Sequence, residues 1–442
     1  MHRRFREILI ACLALTAVAA CGQSKGQQNS TVGYGANPAL PKPSKSLIPT
    51  VKVSDVVGWP AGVTPRAPAG FRVQPFAQGL DHPRWLLVLP NGDVLVAESN
   101  APPKKEPQHG LKGFFEKMLM KKAGAGVPSA NRITLLRDAD HDGVAEMKVP
   151  FLTGLYSPFG MALVGDTLYV ANADAIVAFP YTTGVTRIWA APRKVADLPG
   201  GPINHHWTKN IIASPDGKLL YATVGSNSNV GENGIEKETN RAAILQVDPA
   251  TGYSRVFASG LRNPNGMGWN PANGELWTSV NERDELGNDL VPDYMTSVRE
   301  GGFYGWPYSY YGRHVDKRVK DKDRRPDLVE RASVPDYALG AHTASLGLTF
   351  YTGKSFPAHY QGGTFVGQHG SWNRNPQAGY KVIFVPFAGG KPAGGVEDFL
   401  TGFLNENGKA QGRPVGVTVD ASGALLVADD VGNAVWRVSP AQ

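Results

Sequence analysis

Short apolar runs separated by polar turns recur along the chain from Gly70 to the C-terminus. The unit is most complete at 200–229, which reads GGPINHHWTKNIIASPDGKLLYATVGSNSN: a polar segment, an apolar run, a Pro-Asp-Gly turn and a second apolar run. Apolar runs joined by such a turn are typical of a β-hairpin. The segment therefore predicts a hairpin preceded by a polar loop, and this loop carries His205 and His206.

The same hairpin occurs six times, each time after a strand that ends in Gly and a polar piece. Its turns and second strands read LPNGDVLVAES (89–99), VGDTLYVANA (164–173), SPDGKLLYATVGS (214–226), NPANGELWTSVNE (270–282), YQGGTFVGQHG (360–370) and DASGALLVADD (420–430), with turn glycines Gly92, Gly165, Gly217, Gly274, Gly363 and Gly423. The mean spacing is about 66 residues, and repeats of this kind form units that bury their faces against their neighbours.

Six units of four short strands predict an all-β fold, a six-bladed β-propeller of four-stranded antiparallel blades. One strand, at 71–77, precedes the first hairpin, and another, at 434–438, follows the last. We expect these two strands to pair and close the ring.

Two segments interrupt the repeat. Residues 101–130 are basic and contain LKGFFEKMLMKKAG, an amphipathic stretch that predicts either a lid or packed surface helix or a helix lying on a membrane. Residues 285–340 contain WPYSYYG and a charged run, 314–331, which we expect to be solvated loop.

The repeat also indicates where a site would lie. In a propeller, the loop that enters the inner strand of each blade lies beside the central channel. The residues at this position are Arg84, Phe159, His206, Arg262 with Asn263, the segment 342–345 and Arg413. Because arginine binds carboxylates through paired N–H groups, this basic mouth predicts a site for an anionic ligand with several carboxylates.

The N-terminus has the pattern of a targeting signal rather than of part of the folded domain. MHRRFRE is a basic segment, and ILIACLALTAVAA is apolar but too short to span a bilayer. Val18-Ala19-Ala20-Cys21 resembles a bacterial lipobox, which predicts lipidation of Cys21; an ordinary secretory signal cut near this point is the alternative. We therefore expect a signal peptide at 1–20, a flexible tether at 21–66 and one propeller domain at 67–442.

Composition excludes one class of partner. The net charge of +7 is mild for 442 residues, and no long Lys/Arg run is present. Such an excess indicates solvated surface rather than a nucleic-acid interface, so we expect no nucleic-acid partner.

Motifs along most of the chain resemble one enzyme family. They are HHWTKNIIASPDGKLLYATVGS, GLRNPNG, VNERDELGNDLVPDYMTSV with GGFYGWPY, LGLTFYTGKSFP, GTFVGQHGSWNR and GRPVGVTVD. Their order and spacing resemble the soluble pyrroloquinoline-quinone (PQQ) sugar dehydrogenases, and more closely their sorbosone-dehydrogenase-like branch. The resemblance implies a six-bladed propeller with PQQ and Ca²⁺ as cofactors.

The resemblance also implies roles for individual residues. The family's catalytic base lies ten residues before the Asp-Gly turn, and counting back from Asp216 gives His206. A neutral imidazole suits abstraction of a proton from a sugar hydroxyl. Arg262 and Asn263 match the pair that holds the quinone oxygens, and Arg413 matches a residue that pairs with a cofactor carboxylate.

Calcium in the family is held partly by backbone carbonyls, which fall here near Arg283 and Asp284. Further candidates for binding the cofactor are Arg84, His369 and Arg374, the last two from HGSWNR.

Four positions depart from the family pattern. Ser226 stands where the better-known sugar oxidisers have an acidic residue beside the catalytic His, and Val415 where a second basic residue is expected. Leu155 replaces a Gln, and Arg283-Asp284 replaces a Gly-Pro at the calcium.

A second metal site is predicted independently of the family. Asp138, Asp140, Asp142, Gly143 and Glu146 form D-x-D-x-D-G-x-x-E, in which oxygen ligands alternate around a glycine turn. The spacing is not that of an EF-hand. It predicts a structural calcium loop between strands, with a bare Asp-rich turn as the alternative.

The leading hypothesis is a periplasmic PQQ-dependent dehydrogenase, anchored by lipid to a bacterial membrane, more often the outer one. It would oxidise an aldose or a sorbosone-like aldehyde or alcohol and pass electrons to a cytochrome or a membrane quinone. The alternatives are a metal-dependent lactonase of the propeller type and a non-catalytic envelope propeller.

Overall fold

Six antiparallel sheets form a ring of blades; five have four strands, and the fourth blade has a fifth strand added at its edge. The computed structural model describes residues 32–44, 52–103 and 126–441. The first two strands are β1 (Tyr34–Gly35) and β2 (Phe71–Gln78). Within the described residues there is one α-helix, α1 (Pro326–Arg331), besides 3₁₀ turns at Ile235–Glu238, Asp321–Asp323 and Ala358–Tyr360.

Blades one to three are built from consecutive strands. Their strands are β3 (Pro83–Val88), β4 (Val94–Glu98), β5 (Arg132–Arg137) and β6 (Met147–Leu152); β7 (Met161–Val164), β8 (Thr167–Ala171), β9 (Ala175–Pro180) and β10 (Arg193–Asp197); and β11 (Ile211–Ala213), β12 (Leu220–Val224), β13 (Ala243–Val247) and β14 (Ser254–Ser259).

Blades four and five contain small insertions. Their strands are β15 (Pro264–Trp269), β16 (Leu276–Val280), β17 (Pro292–Ser297), a short pair β18 (Ser309–Tyr310) and β19 (His314–Val315), and β20 (Tyr337–Ala341); then β21 (Ser345–Phe350), β22 (Thr364–Gln368), β23 (Lys381–Val385), a short pair β24 (Phe387–Ala388) and β25 (Lys391–Pro392), and β26 (Glu397–Leu400). β1 extends the fourth blade beyond β20.

The sixth blade closes the ring as the sequence predicted. It contains β27 (Pro414–Val419), β28 (Leu425–Asp429) and β29 (Ala434–Pro440), and β2 completes it. β2 pairs antiparallel with β29, with Gln78 opposite Ala434 and Phe71 opposite Pro440. The two ends of the repeat region are therefore held together by one strand pair.

The core is divided among the blade interfaces. Six clusters of buried apolar side chains are present in the described residues, and each lies between two neighbouring blades. The first strands of the blades, β3, β7, β11, β15, β21 and β27, contact one another in turn around the channel. Gly266 and Gly416 allow this approach, because a Cβ at either position would meet the backbone of the next inner strand.

The predicted hairpin turns all occur, with one shift. Gly92, Gly217 and Gly423 lie between the first two strands of their blades with positive φ, as a tight turn requires. In the fifth blade the residue with positive φ is Gly362, whereas Gly363 has no such φ. Gly363 is small for a different reason: a side chain there would meet the ring of Phe384.

The prediction of a flexible tether through residue 66 is wrong for the part that the structure describes. Lys52, Val57 and Arg66 form backbone hydrogen bonds with the propeller. The indole of Trp59 donates to the Asp429 carboxylate at 2.7 Å and packs edge-on against Trp436. The Pro- and Gly-rich composition hid this contact, because its partners lie more than 300 residues away.

The second interruption is also different from the prediction. β17 and all but the last residue of β20 fall inside 285–340, so the inserted segment is the part between these strands. The charged run within it is not all solvated, since Asp316 is 2% exposed and forms ion pairs with Arg283 and Arg318. The predicted signal peptide, Cys21 and the amphipathic stretch at 111–124 lie outside the described residues. Within the described ranges, no helix has both the length and the apolarity that a membrane span requires.

Candidate active site

The predicted mouth residues lie on the loops that enter the inner strands or at the first positions of those strands, and contacts join several of them. The guanidinium of Arg84 lies 5.7 Å from the ring of Trp207, the residue after His206. The same guanidinium binds Asp430 at 2.6 Å, and Asp430 in turn binds His369 at 2.7 Å. The backbone carbonyl of His369 accepts a bond from Arg413 at 2.9 Å. Side chains from the first, third, fifth and sixth blades thus form one continuous chain of contacts.

His206 is held in a single tautomer. Its Nδ1 lies 2.8 Å from the carbonyl oxygen of Ser226, and a carbonyl oxygen only accepts hydrogen bonds. Nδ1 therefore carries the proton, and Nε2 keeps its lone pair. Burial, followed by the nearby charges of Arg262 and His205, lowers the pKa of His206 well below its usual value. The imidazole is neutral at pH 7 and its Nε2 is a proton acceptor.

Ser226 lies where the sequence placed it, against the imidazole. Its hydroxyl oxygen is 3.1 Å from Nδ1 of His206 and donates to the carbonyl of Ser228 at 2.7 Å. A hydroxyl and a carbonyl thus take the place of the acidic residue that the family pattern has here. The bond to the Ser226 carbonyl raises the pKa of His206, but burial and the charges of Arg262 and His205 outweigh this contribution.

Arg262 and Asn263 differ in how much of their hydrogen-bonding capacity is already used. Arg262 is 3% exposed and donates to the carbonyl of Glu282 at 2.7 Å, to Oδ1 of Asn229 at 3.1 Å and to Asp284 at 3.3 Å. It therefore acts as a fixed charge. Asn263 is 5% exposed, and its Oδ1 has no hydrogen-bond partner among the residues that the structure describes.

The unpaired amide oxygen of Asn263 lies near the Cβ of His206. A Cβ at Gly225 would meet both Oδ1 of Asn263 and Cβ of His206, so the two side chains border the same small space. An unpaired buried acceptor carries a desolvation cost that a bound donor would remove. This corner of the mouth is therefore suited to a polar ligand.

Sequence reasoning missed the acidic partner on the opposite side of the mouth. Asp430 is 1% exposed, and its carboxylate contacts Arg84, His369 and, at 3.4 Å, His82. Burial alone would raise the pKa of Asp430, but His369, His82 and Arg84 outweigh it and hold the pKa far below its usual value. The tripeptide ADD of the sixth hairpin gave no sign of this burial.

The predicted basic groups are consequently not all free to bind an anion. Burial and the charge of Arg413 lower the pKa of His369 to about 3, so its imidazole is neutral. Arg374 pairs with Asp289 at 2.7 Å. Arg413 bonds two backbone carbonyls, those of His369 and Gly370, and forms no ion pair within the described chain. Arg413 is the predicted cation best placed for a carboxylate.

The residues at 283–284 do not fit the predicted calcium. The guanidinium of Arg283 is fully buried and pairs with Glu282 and Asp316. The backbone carbonyl of Asp284 already accepts a bond from Arg318 at 2.7 Å. Its carboxylate contacts Arg262, His342 and Asn373. A cation would compete with the guanidinium of Arg318 for the carbonyl oxygen of Asp284, which the resemblance assigns to calcium.

The second predicted metal site is assembled as a cluster. One carboxylate oxygen from each of Asp138, Asp140, Asp142 and Glu146 lies within 4.8 Å of the others. The loop joins β5 to β6, and Gly143 N–H donates to the Asp138 carboxylate at 2.9 Å. The oxygen-rich composition suits calcium, but these hydrogen bonds also suit a bare Asp-rich turn.

Comparison with known proteins gives two family matches. The model described as Glucose / Sorbosone dehydrogenase matches residues 167–371, and one described as TrAA12-like matches residues 316–441. An uncharacterised protein of Borreliella burgdorferi is 32% identical over 300 residues, which cover 64% of this chain and 76% of that protein.

A fungal enzyme is similar in both sequence and fold. The pyrroloquinoline quinone-dependent pyranose dehydrogenase of Coprinopsis cinerea is 24% identical over 359 residues, which cover 72% of this chain and 44% of the enzyme. The holo structure of its PQQ domain matches with a TM-score of 0.66 at 21% identity, over 88% of this chain and all of that domain. This likeness confirms the six-bladed fold.

Proposed function

Because this chain belongs to the glucose and sorbosone dehydrogenase family, we propose that it is an oxidoreductase that oxidises a sugar with PQQ as its cofactor. The observation that carries the proposal is the neutral His206, whose Nε2 keeps its lone pair and whose Cβ borders the same small space as the unpaired Oδ1 of Asn263. The Coprinopsis relative is described as PQQ-dependent, which supports the choice of cofactor.

The residues at the mouth have separate tasks in the proposed reaction. Nε2 of His206 accepts the proton of a sugar hydroxyl, and Asn263 Oδ1 accepts a hydrogen bond from the bound ligand. Arg262 places a fixed positive charge where negative charge develops. Arg413 would hold a carboxylate of the cofactor, with Arg84 beside it. When bound, the quinone would supply the acceptor for the hydride that leaves the same sugar carbon.

Calcium is not part of this reaction scheme, because the oxygens at 283–284 are already bonded. We propose instead that the loop at 138–146 binds calcium structurally. The substrate class is an aldose or a sorbosone-like aldehyde or alcohol, and the electron acceptor is a cytochrome or membrane quinone.

Reconstitution tests the proposed function. The domain from residue 32 onward is mixed with PQQ, binding is followed by absorbance, and dye reduction is measured across a panel of aldoses with and without a calcium chelator. We expect stoichiometric binding of PQQ and reduction of the dye with at least one aldose. The chelator should not lower the activity as long as the protein stays folded. Absence of PQQ binding would contradict the proposal.

A lactonase is less well supported by this mouth. That chemistry needs free carboxylates and amides gathered at a channel metal, whereas Asp430 and Asp284 are both bound by cations. A lactone hydrolysis assay on the same preparation separates the two functions.

The membrane attachment is a separate proposal, carried by the lipobox at Cys21. Labelling cells with a fatty-acid analogue should mark the native chain and not Cys21→Ser. Fractionation of the same cells then shows whether the protein is in the outer membrane, as we expect, or in the inner one.

A further inference from the structure

Beneath the loop that carries His206 lies a lysine with no exposed surface. The side chain of Lys209 is 0% exposed, and its Nζ donates to Oδ1 of Asn204, to the carbonyl of His206 and to the carbonyl of Trp207, each at 3.1 Å. An ammonium group has three donors, and all three are used. The acceptors are all on the loop itself.

A second buried cation binds the same loop from the other side. Arg241 is 6% exposed and donates to Oδ1 of Asn204 at 3.2 Å and to the carbonyl of Pro199 at 2.8 Å. Its other terminal nitrogen donates to the carbonyl of Gly225 at 3.2 Å. Gly225 borders His206 and precedes Ser226, the partner of its Nδ1. The two cations thus fix both backbone segments between which the imidazole is held.

These cations lack the partners that buried charges usually have. Every hydrogen bond described for Lys209 and Arg241 goes to a neutral carbonyl or amide oxygen. Burial lowers the pKa of Lys209 well below its usual value and that of Arg241 to about 10. The three acceptors around Nζ of Lys209 match the three donors of the ammonium form. Asp174 attracts Lys209 and Glu238 attracts Arg241, but neither carboxylate is among the hydrogen bonds described. A buried charge that is paired only with dipoles is costly, and a neutral side chain could fill the space. The position of the charge therefore calls for a functional account.

We propose that Lys209 is a positioning residue for His206: the ammonium group of Lys209 draws the loop carbonyls inward and so directs the imidazole into the channel mouth. This role of Lys209 extends the proposed function. The kinetic test of it rests on that function, whereas the NMR test does not. The carbonyls of His206 and Trp207 both accept from Nζ, so the backbone that carries the imidazole is bonded directly to this group.

The same charge contributes to the chemistry of the base. The groups that act on His206 are Arg262, His205 and Lys209, all cationic or potentially so, and the carbonyl of Ser226. After burial, which has the largest effect, these cations lower the pKa of the imidazole. Removing the Lys209 charge should raise the pKa of His206, and adding a negative charge beside Lys209 should do the same.

The first experiment compares Lys209→Met with Lys209→Arg, which keeps a cation, and with Lys218→Met, a control at an exposed lysine in the same hairpin. The pKa of His206 is read from its Cε1–H NMR signal in the cofactor-free protein, with His206→Gln used for assignment. We expect a higher pKa in Lys209→Met, a smaller change in Lys209→Arg and none in Lys218→Met.

Steady-state kinetics of the PQQ-loaded variants provide the second readout. Misplacing the base should lower kcat about 10²-fold in Lys209→Met, with KM for the sugar within about threefold, since binding groups are untouched. A folded Lys209→Met with wild-type kcat and an unchanged His206 pKa would overturn the proposal. If the wild type proves inactive with PQQ, the proposed function fails, and the NMR comparison still decides the role of Lys209.

Should Lys209→Met not fold, Asn204→Asp keeps the side-chain shape and places a carboxylate beside both cations. We expect the pKa of His206 to rise and the acidic limb of kcat/KM to move to higher pH. An unchanged pKa in this folded variant would contradict the proposal as clearly as the methionine variant would.

Discussion

Buried charged groups have different partners on the two sides of the channel mouth. On one side, Asp430 meets Arg84, His82 and His369, so that a carboxylate is surrounded by its partners. On the side of His206, the imidazole has no carboxylate and the cations beneath it bind neutral oxygens. The first arrangement joins neighbouring blades through ion pairs. The second leaves the imidazole of His206 neutral, so that its Nε2 can accept a proton.

The comparison predicts its largest effect at the base itself. His206→Ala removes the proton acceptor, and loss of a general base lowers kcat about 10²- to 10⁴-fold. PQQ affinity should stay unchanged, because the side chains assigned to the cofactor remain. The matched control is His205→Ala, the adjacent exposed histidine, measured in the same dye-reduction assay. Equal activity of the two variants would remove His206 from the mechanism.

On the paired side, Asp430→Asn should affect stability first. Removing one partner of a buried ion pair leaves Arg84 uncompensated and costs about 3–5 kcal/mol in the free energy of unfolding. The pKa of Asp430 is lowered in the folded state, so the wild-type contribution is present above the usual carboxyl pKa and is lost as the pH falls. Urea titrations of the variant and of the exposed control Asp216→Asn, at two pH values, measure both effects.

The pH dependence of catalysis separates the sides further. The folded-state pKa of His206 is lowered, so the imidazole is protonated only well below pH 6.5. Activity should therefore persist as the pH falls through 6.5 and be lost only at lower pH. Ser226→Asp would place a carboxylate near Nδ1 and raise this pKa. The acidic limb of the kcat/KM profile should therefore move to higher pH in the variant. A profile that does not move would show that the limb belongs to another group.

The smallest effect is expected at the acidic loop, which belongs to neither side. If Asp138, Asp140, Asp142 and Glu146 hold a structural calcium, adding calcium should raise Tm by about 1 °C for each kcal/mol of binding energy. Asp140→Asn should abolish the shift and leave dye reduction unchanged. A calcium-insensitive Tm in the wild type would favour the bare turn.

The repeat pattern determined most of the fold that sequence could predict. The six hairpins, the closing pair of β2 and β29 and the position of His206 follow from local turn chemistry and repeat position, both of which are visible in a short window of sequence. Such a window contains no information on pairing across hundreds of residues. Trp59 and Asp429 are an example, and so the predicted tether was wrong there.

The burial of charged side chains was the other feature that the sequence could not predict. In HHWTKN, Lys209 has the sequence context of a surface lysine, and Asp430 that of an ordinary turn residue. Only the packing of neighbouring blades shows that both are enclosed. The partners of Arg283 and Asp284 could not be predicted for the same reason, because Asp316 and Arg318 come from an inserted segment expected to be solvated.

One measurement tests the central claim most directly: the absorbance of bound PQQ after rapid mixing with an aldose, in wild type and His206→Ala. The account predicts that both proteins bind the quinone and that only the wild type reduces it within a single turnover. Fast reduction in the alanine variant would show that the imidazole at the mouth is not the base.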